Sequence, residues 1–333
     1  MLFSKGVSRL HTMAVRAYCA AAVALLATVG FAEPAEDFPS KPIEVVIHTS
    51  PGGGTDMTAR TMLIGMRSAL SPNIVVTPKV GGGGLVALNY AGRRARDGHT
   101  LLAITPTHLF AIARGQGSLR IDDLVGVARA TDDPIIIVVN AAANAKSEMR
   151  TLEDLIQRGK RSPVKWGTAQ IGGVDHIAAA IFGKRAGTRI AVVPFGSGGE
   201  IVTNLMGQNI EAAGLNLTEA LDRIQRGDFR ALAVMSEKRL DSLPDVPTTV
   251  EKGIPVVYST VRGYVVLKGT PQDRIDALEA AILQGMKNPA FQSFLSRSGL
   301  SMQGIAGSDV WNRQIKQMYE DARAAMQELG MLQ

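Results

Sequence analysis

The sequence predicts an α/β protein of two lobes, each a mostly parallel sheet flanked by helices, joined by a hinge of two crossing strands. Three observations lead there. A unit of short apolar strand, glycine-rich turn and helix recurs in "PIEVVIHTSPGGGTD", "NIVVTPKVGGGGLVALNYAGRRA", "VKWGTAQIGGVDHIAAAIF" and "IAVVPFGSGGEIVTNLMG". Strands alternating with helical patterns at this spacing build parallel sheets covered by helices. The chain has 333 residues, and near about 300 residues one core gives way to two. Finally, "DDPIIIVVN" (132–140) and "VVYSTVRGYVVLKGTP" (256–271) read as strands that leave one lobe and return to it. The expected division is 38–133 plus 256–333 for one lobe and 134–255 for the other.

In chain order, "MLFSKGVSRLHTMAVR" carries Lys5, Arg9 and Arg16 and no acid, and the apolar "AYCAAAVALLATVGFA" follows. A basic head, a short apolar middle and small residues before a cut are the marks of a secretory signal, expected over 1–32 with cleavage after Ala32 or Ala35. The run falls short of the about 20 residues that span a bilayer. Cys19, the only cysteine, lies inside this segment and ahead of the apolar run, so it does not suit a lipid anchor. The exported chain then holds no thiol and no disulfide, and at its length it relies on its core instead.

Beyond Asp56, the residues Met62, Leu63, Met66 and Leu70 recur at helical spacing. "TLEDLIQRGKR" starts a helix with Thr151 as cap and Asp154 in the first turn, ending near Gly159. "TPQDRIDALEAAILQGMK" offers Thr270 as cap, Pro271 at the first helical position and the stripe Ile275, Leu278, Ile282. "DVWNRQIKQMYEDARAAMQELG" is a further amphipathic helix.

The formal charge of +6 falls to +3 when Lys5, Arg9 and Arg16 leave. The remaining basic residues are scattered apart from "RRAR" (93–96) and "RGKR" (158–161), which suit solvated helix ends, and aromatics make up 5%. Nucleic-acid binding is not expected from such a pattern. His99 and His108 fall on different elements and no HExxH is present, so no metal is expected. No nucleophile elbow is formed around Ser197. The chain is therefore not expected to be an enzyme, nor to need a cofactor.

A helix start exposes backbone N–H groups without internal partners at the positive end of its dipole. Glycine lets a ligand approach that end, and together these make an anion site. A nucleotide loop would need a lysine after the glycines, whereas Gly52-Gly53-Gly54 leads to Thr55 and Asp56. Asp56 suits a hydrogen bond to cap amides or a pair with a ligand amino group; as a lone motif, PGGGTD also suits a plain tight turn. His176 follows glycines at a helix start and fits a donor to an anion or a structural role. His48 and Trp166 suit packing better than ligand contact.

"FPSKPIEVVIHTSPGGGTDMTAR", "VGGGGLVALNYAGRRARDGHTLL", "WGTAQIGGVDHIAAAIF", "VVPFGSGGEIVTNLMGQNIEAAGLN" and "RALAVMSEKRLDSLPDVPTTVEKGIP" occur in that order. Together they resemble the tripartite tricarboxylate transporter receptor family, the TctC or Bug-type periplasmic solute-binding proteins, over nearly all of 38–333. The resemblance implies a type II-like binding-protein fold. It also implies a monomeric receptor that holds a small organic carboxylate (a di- or tricarboxylate, an amino acid or an aromatic acid) between its lobes. Carried over, the ligand positions are Gly53, Gly54, Thr55 and Asp56, then Thr105 and Thr107. From the second lobe come Thr168, Ala169, Gly172, Gly173, His176, Phe195, Gly196, Ser197, Gly198 and Asn216. The partner implied is a membrane permease; a membrane signalling kinase is the alternative. His48-Thr49, Phe195-Gly196 and Gly214-Leu215 depart from the family pattern and imply a less highly charged solute.

Overall fold

Ile43–Ile47, β-branched and apolar except for Glu44, forms β1 and sinks its apolar residues into the core. In the computed structural model the described residues are 38–70, 73–142 and 149–332. The expected export segment, 1–32, with Cys19, lies outside them. All the elements below fall within one unit beginning at Lys41.

From β1 the chain runs through α1 (Gly54–Leu70), β2 (Ile74–Pro78), α2 (Leu85–Gly92), β3 (Thr100–Ile104) and α3 (Pro106–Ala113) into the long β4 (Leu124–Asn140). Next come α4 (Leu152–Arg161), β5 (Val164–Thr168), α5 (Val174–Ala186), β6 (Ile190–Pro194), α6 (Gly198–Met206), β7 (Ala212–Asn216), α7 (Leu217–Gln225) and β8 (Phe229–Val234). The return is β9 (Ser259–Leu267), followed by α8 (Gln272–Met286), α9 (Pro289–Arg297), β10 (Ala306–Gly307) and α10 (Ser308–Glu328).

Two sheets share β4. Its first part, through Pro134, pairs with β9 in the sheet that also holds β2, β1 and β3. From Ile135 onward it pairs with β7 and β8 in the sheet that holds β5 and β6. The outer strands β2-β1-β3 and β7-β5-β6 pair in parallel, as strand–turn–helix units require. The pairs made by β4 and β9 are antiparallel, because one strand leaves the first lobe and the other comes back. Each sheet is thus mixed, parallel at its outer edge and antiparallel where the crossings join it.

Packing follows the apolar periodicities. Met62, Leu63 and Met66 on α1 are buried, and burying each such side chain contributes about 1.5–3 kcal/mol. Trp166 is buried against Phe182, ring centroids 5.8 Å apart. Trp311 on α10 is buried and donates Nε1–H to the Tyr264 carbonyl at 3.1 Å. α4 begins as expected: Thr151 Oγ1 accepts from Asp154 N at 3.1 Å while Asp154 accepts from Thr151 N at 2.9 Å. The helix runs to Arg161, two residues past Gly159. The expected cap of α8 is displaced. Thr270 donates its hydroxyl back to the Leu267 carbonyl at 2.8 Å, and Pro271 takes the cap position instead.

Candidate functional site

β1 ends at Ile47; His48 and Thr49, both buried, follow it, and the chain turns through Ser50–Gly53 into α1. Asp56 accepts from Gly52 N at 3.0 Å and pairs with Arg60 at 2.7 Å, so its carboxylate closes its own turn. The amide of Gly54 donates across the lobes to Glu219 Oε1 at 2.9 Å. Glu219 also accepts from Asn216 N at 3.2 Å, tying the start of α7 to the start of α1.

At Gly54 and Gly198 side chains of the protein approach the backbone closely. A Cβ on Gly54 would lie 2.3 Å from Arg262 Nη2, and one on Gly198 would lie 2.2 Å from the Glu219 carboxyl. Close backbone approach is what the sequence suggested for these turns. The approaching groups here are a guanidinium and a carboxylate of the protein itself.

Arg262 on β9 and Asp133 on β4 form a buried ion pair, Nη1 to Oδ2, at 2.6 Å. Arg262 Nη2 also donates to Asn216 Oδ1 at 3.0 Å. Asn216 in turn donates to the Asp133 carbonyl and to Thr260 Oγ1, both at 2.9 Å. Thr218 donates its hydroxyl to Asp133 Oδ2 at 2.6 Å. β4 and β9 are thus stitched together by a charged network that reaches Asn216 and Thr218 on the second sheet's side.

The turn after β5 closes from the other side. Gln170 Nε2 donates to the His48 carbonyl at 2.5 Å, and Val174 N donates to Thr107 Oγ1 at 3.1 Å. Ala169 N donates to Asp175. Further out, Ser50 N donates to the Gly196 carbonyl at 3.1 Å. The lobes therefore touch directly through their turns.

A cavity of about 40 Å³ remains between them, with walls that include His48, Gln170, Asp175, Glu219, Thr260 and Arg262. Four polar atoms of its walls are buried without a hydrogen-bond partner among the described residues: His48 Nδ1, Thr49 Oγ1, Gln170 Oε1 and Arg262 Nε. Unpaired buried polar groups cost about 1–3 kcal/mol each, and four of them cluster on this one wall.

Burial sets the protonation states. His48 is held well below its usual value by burial, then by His108 and Arg262. Burial likewise lowers His108 to about 4. The two rings meet edge to face at 4.4 Å as neutral imidazoles. Burial, with Glu219 nearby, pushes Asp175 up to about 7, and it raises Glu219 as well.

Six of the sequence-predicted positions line the cavity: Gly54, Thr55, Thr107, Ala169, Gly198 and Asn216. The others stand around it in different work. Gly53 packs on Ser197, whose hydroxyl accepts from Glu200 N at 3.4 Å. Thr105 caps α3, its amide donating to His108 Nδ1 at 3.1 Å. Thr168 is buried at the end of β5. Gly172 N donates to His176 Nδ1 at 2.7 Å, and the Gly172 carbonyl accepts from Arg114 Nη1 at 3.2 Å. Gly173 is the cap residue of α5. Phe195 packs on the core of the second lobe, and Gly196 N donates to Glu200 Oε2 at 3.0 Å. Burial and then Arg114 lower His176.

Residues 58–331 match the sequence profile of the tripartite tricarboxylate transporter family receptor. The chain belongs to that family. The receptor is 30% identical to protein BugT of Bordetella pertussis (strain Tohama I) over 283 residues, 82% of this chain and 86% of that protein. Among solved structures it resembles a periplasmic transporter at 28% identity and TM-score 0.81, covering 89% of this chain and 99% of that one. MatC from Rhodopseudomonas palustris, solved with bound malate, superposes at TM-score 0.79 over 86% of this chain and 99% of that one. At 22% identity that likeness speaks for the fold alone. The periplasmic binding protein BugD superposes at TM-score 0.81 and 23% identity over 89% of this chain and 99% of that one, and the family is one of receptors rather than enzymes.

Sequence reasoning about the receptor missed Arg262, Glu219, Asp175 and Gln170, and placed His48 in the packing. Asp175 and Gln170 stand inside the quoted turn "TAQIGGVDH", and Glu219 completes an Asn-x-x-Glu cap signature. Arg262 left no local signal, since it interrupts an otherwise apolar strand.

Proposed function

We propose that this receptor captures a small organic carboxylate in the cleft between 38–133 plus 256–333 and 134–255. It then closes about β4 and the segment before β9, and delivers the solute to a membrane permease of the tripartite tricarboxylate transporter type. Export by the basic-apolar segment 1–32 would bring the receptor to the periplasm, where its fold relatives work. The observation that carries the reading is the set of unpartnered buried atoms contributed by both lobes: His48 Nδ1, Thr49 Oγ1 and Arg262 Nε from one, Gln170 Oε1 from the other. A solute that engages both sets stabilises the closed form by its differential affinity, which is how closure reports occupancy. Gly54, Thr55 and Thr107 would face the solute from the first lobe, and Ala169, Gly198 and Asn216 from the second.

Isothermal titration and thermal unfolding of the exported chain against a panel of mono-, di- and tricarboxylates and amino acids test this. One ligand class should bind one to one, without turnover, and raise the melting temperature; at 100-fold excess over Kd the gain is about 2.7 kcal/mol. If no carboxylate binds, or a bound one is converted to product, the proposal is wrong.

A further inference from the structure

We propose that Glu219 decides which carboxylates the receptor accepts. Its own carboxyl fills one of two neighbouring carboxylate places in the cleft, so the solute brings a single carboxylate, which Arg262 Nε receives. This rests on the carboxylate-receptor reading above and narrows it to monocarboxylates.

The starts of three helices lead to it. Glu219 lies in the first turn of α7, where Oε2 accepts from Asn216 N at 3.2 Å. Its Oε1 accepts at 2.9 Å from the amide of Gly54, the first residue of α1, across the cleft. The same carboxyl crowds the first residue of α6, since a Cβ on Gly198 would lie 2.2 Å from it. Three positive helix ends thus meet on one carboxyl, which is the environment an anion prefers. The place is an anion site, and a group of this chain fills it.

The second observation is the guanidinium beside that place. A Cβ on Gly54 would lie 2.3 Å from Arg262 Nη2, so Arg262 adjoins the start of α1. Asp133 takes Nη1 at 2.6 Å and Asn216 Oδ1 takes Nη2 at 3.0 Å. Nε, in a residue only 3% exposed, is buried without a partner among the described residues. Arg262 and Glu219 both line the cavity. One cationic donor is open while the helix starts next to it are taken, so the wall receives one carboxylate and not two.

Charge weighs the same way. Arg262 and Asp133 neutralise each other, and Asp175 and Glu219 are the acids that line the cavity. A second solute carboxylate would lie against both, and like charges sharing one site disfavour each other. With Glu219 cut back to a methyl, the three helix starts would face the cavity, and a diacid could span from them to Arg262.

The test is titration calorimetry of the exported chain at pH 8 with matched acids: propionate against succinate, butyrate against glutarate, and benzoate against terephthalate. Each diacid is its partner with a carboxylate in place of one hydrogen. Members of a pair share one hinge equilibrium, so the ratio of their affinities reads the subsite alone. In the pair that binds, wild type should hold the monoacid at least ten-fold tighter than the diacid. Glu219→Ala should raise diacid affinity ten-fold or more and move the monoacid less than three-fold. Glu219→Gln keeps the place filled, so the diacid should gain less than three-fold; a gain equal to that of Glu219→Ala would assign the exclusion to charge and overturn the filled place. A wild-type receptor that binds the diacid as tightly as the monoacid or tighter also overturns the proposal, leaves the carboxylate receptor standing, and decides even if a variant fails to fold. An unchanged ratio in a Glu219→Ala variant that unfolds cooperatively overturns it too. If none of these acids binds, this reading and the receptor reading fall together.

Discussion

The two faces of β9 border two hollows of opposite character. Thr260 and Arg262 point into the cavity of about 40 Å³, while Ser259 and Val261, alternating along the strand, border one of about 460 Å³ behind the hinge. The larger hollow is lined by Phe110, Tyr258, Val261 and Met318, and at its rim Arg185 pairs with Glu328 at 2.6 Å. None of its lining residues carries a buried polar atom without a partner among the described residues, whereas the small cavity has four such atoms. Under the proposed function, the contrast favours the small cavity as the solute site because of its unmet hydrogen bonds rather than its volume. A polar wall with open valences is costly unless something meets it, while an apolar hollow with a satisfied ion pair asks for nothing.

Mutations on the two sides sharpen the contrast. Arg262→Met should have the largest effect, because it leaves Asp133 buried without its cation. Chemical unfolding should register a loss of about 3–5 kcal/mol, and solute binding should vanish. Next comes pH. Asp175 is raised to about 7 in the folded chain against an unfolded value near 4. The fold therefore holds a proton that the unfolded chain has released, and this residue withdraws stability as pH climbs from about 4 to about 7. Urea midpoints of Asp175→Asn and wild type should diverge in favour of the variant over that window and stay apart above it.

Gly54→Ala forces a methyl to within 2.3 Å of the Arg262 guanidinium. Displacing that packed group should cost about 1–3 kcal/mol in unfolding experiments and weaken solute binding, because the same guanidinium borders the cavity. The smallest effect is expected behind the hinge. Arg185 and Glu328 are 36% and 30% exposed, so Arg185→Ala should cost no more than about 1 kcal/mol and leave solute affinity within about two-fold. Should Arg185→Ala abolish binding while Arg262→Met spares it, the two hollows have been assigned the wrong way round.

Much of the scaffold was legible because it is local. The glycine turns, the apolar strands before them, the Thr151 cap and the methionine stripe of α1 all follow from residues within a few positions of one another. The wall of the cavity was legible only where it is backbone: Gly54, Ala169 and Gly198 were found through the turns that carry them. What those turns hold was not. The amides of Gly52, Gly54, Ala169 and Gly196 are met by Asp56, Glu219, Asp175 and Glu200, so the anion sites are already engaged by carboxylates of the protein itself. The bond from Gly54 to Glu219 joins residues 165 positions apart, beyond the reach of any spacing rule. The Thr270 cap failed for a smaller reason: the hydroxyl found a carbonyl three residues back and turned away from the helix.

The sequence by itself determined the strand–turn–helix units and the family to which the chain belongs, because each is written in short-range patterns of apolar and glycine residues. Only the tertiary structure decided the chemistry of the cleft. Charge compensation depends on which residues meet through space: Arg262 faces Asp133 across paired strands, and Asp175 and Glu219 come to one cavity from separate helices. Burial then changes what those groups are, since a carboxylate sealed from water takes up a proton that the same residue gives up in an open chain.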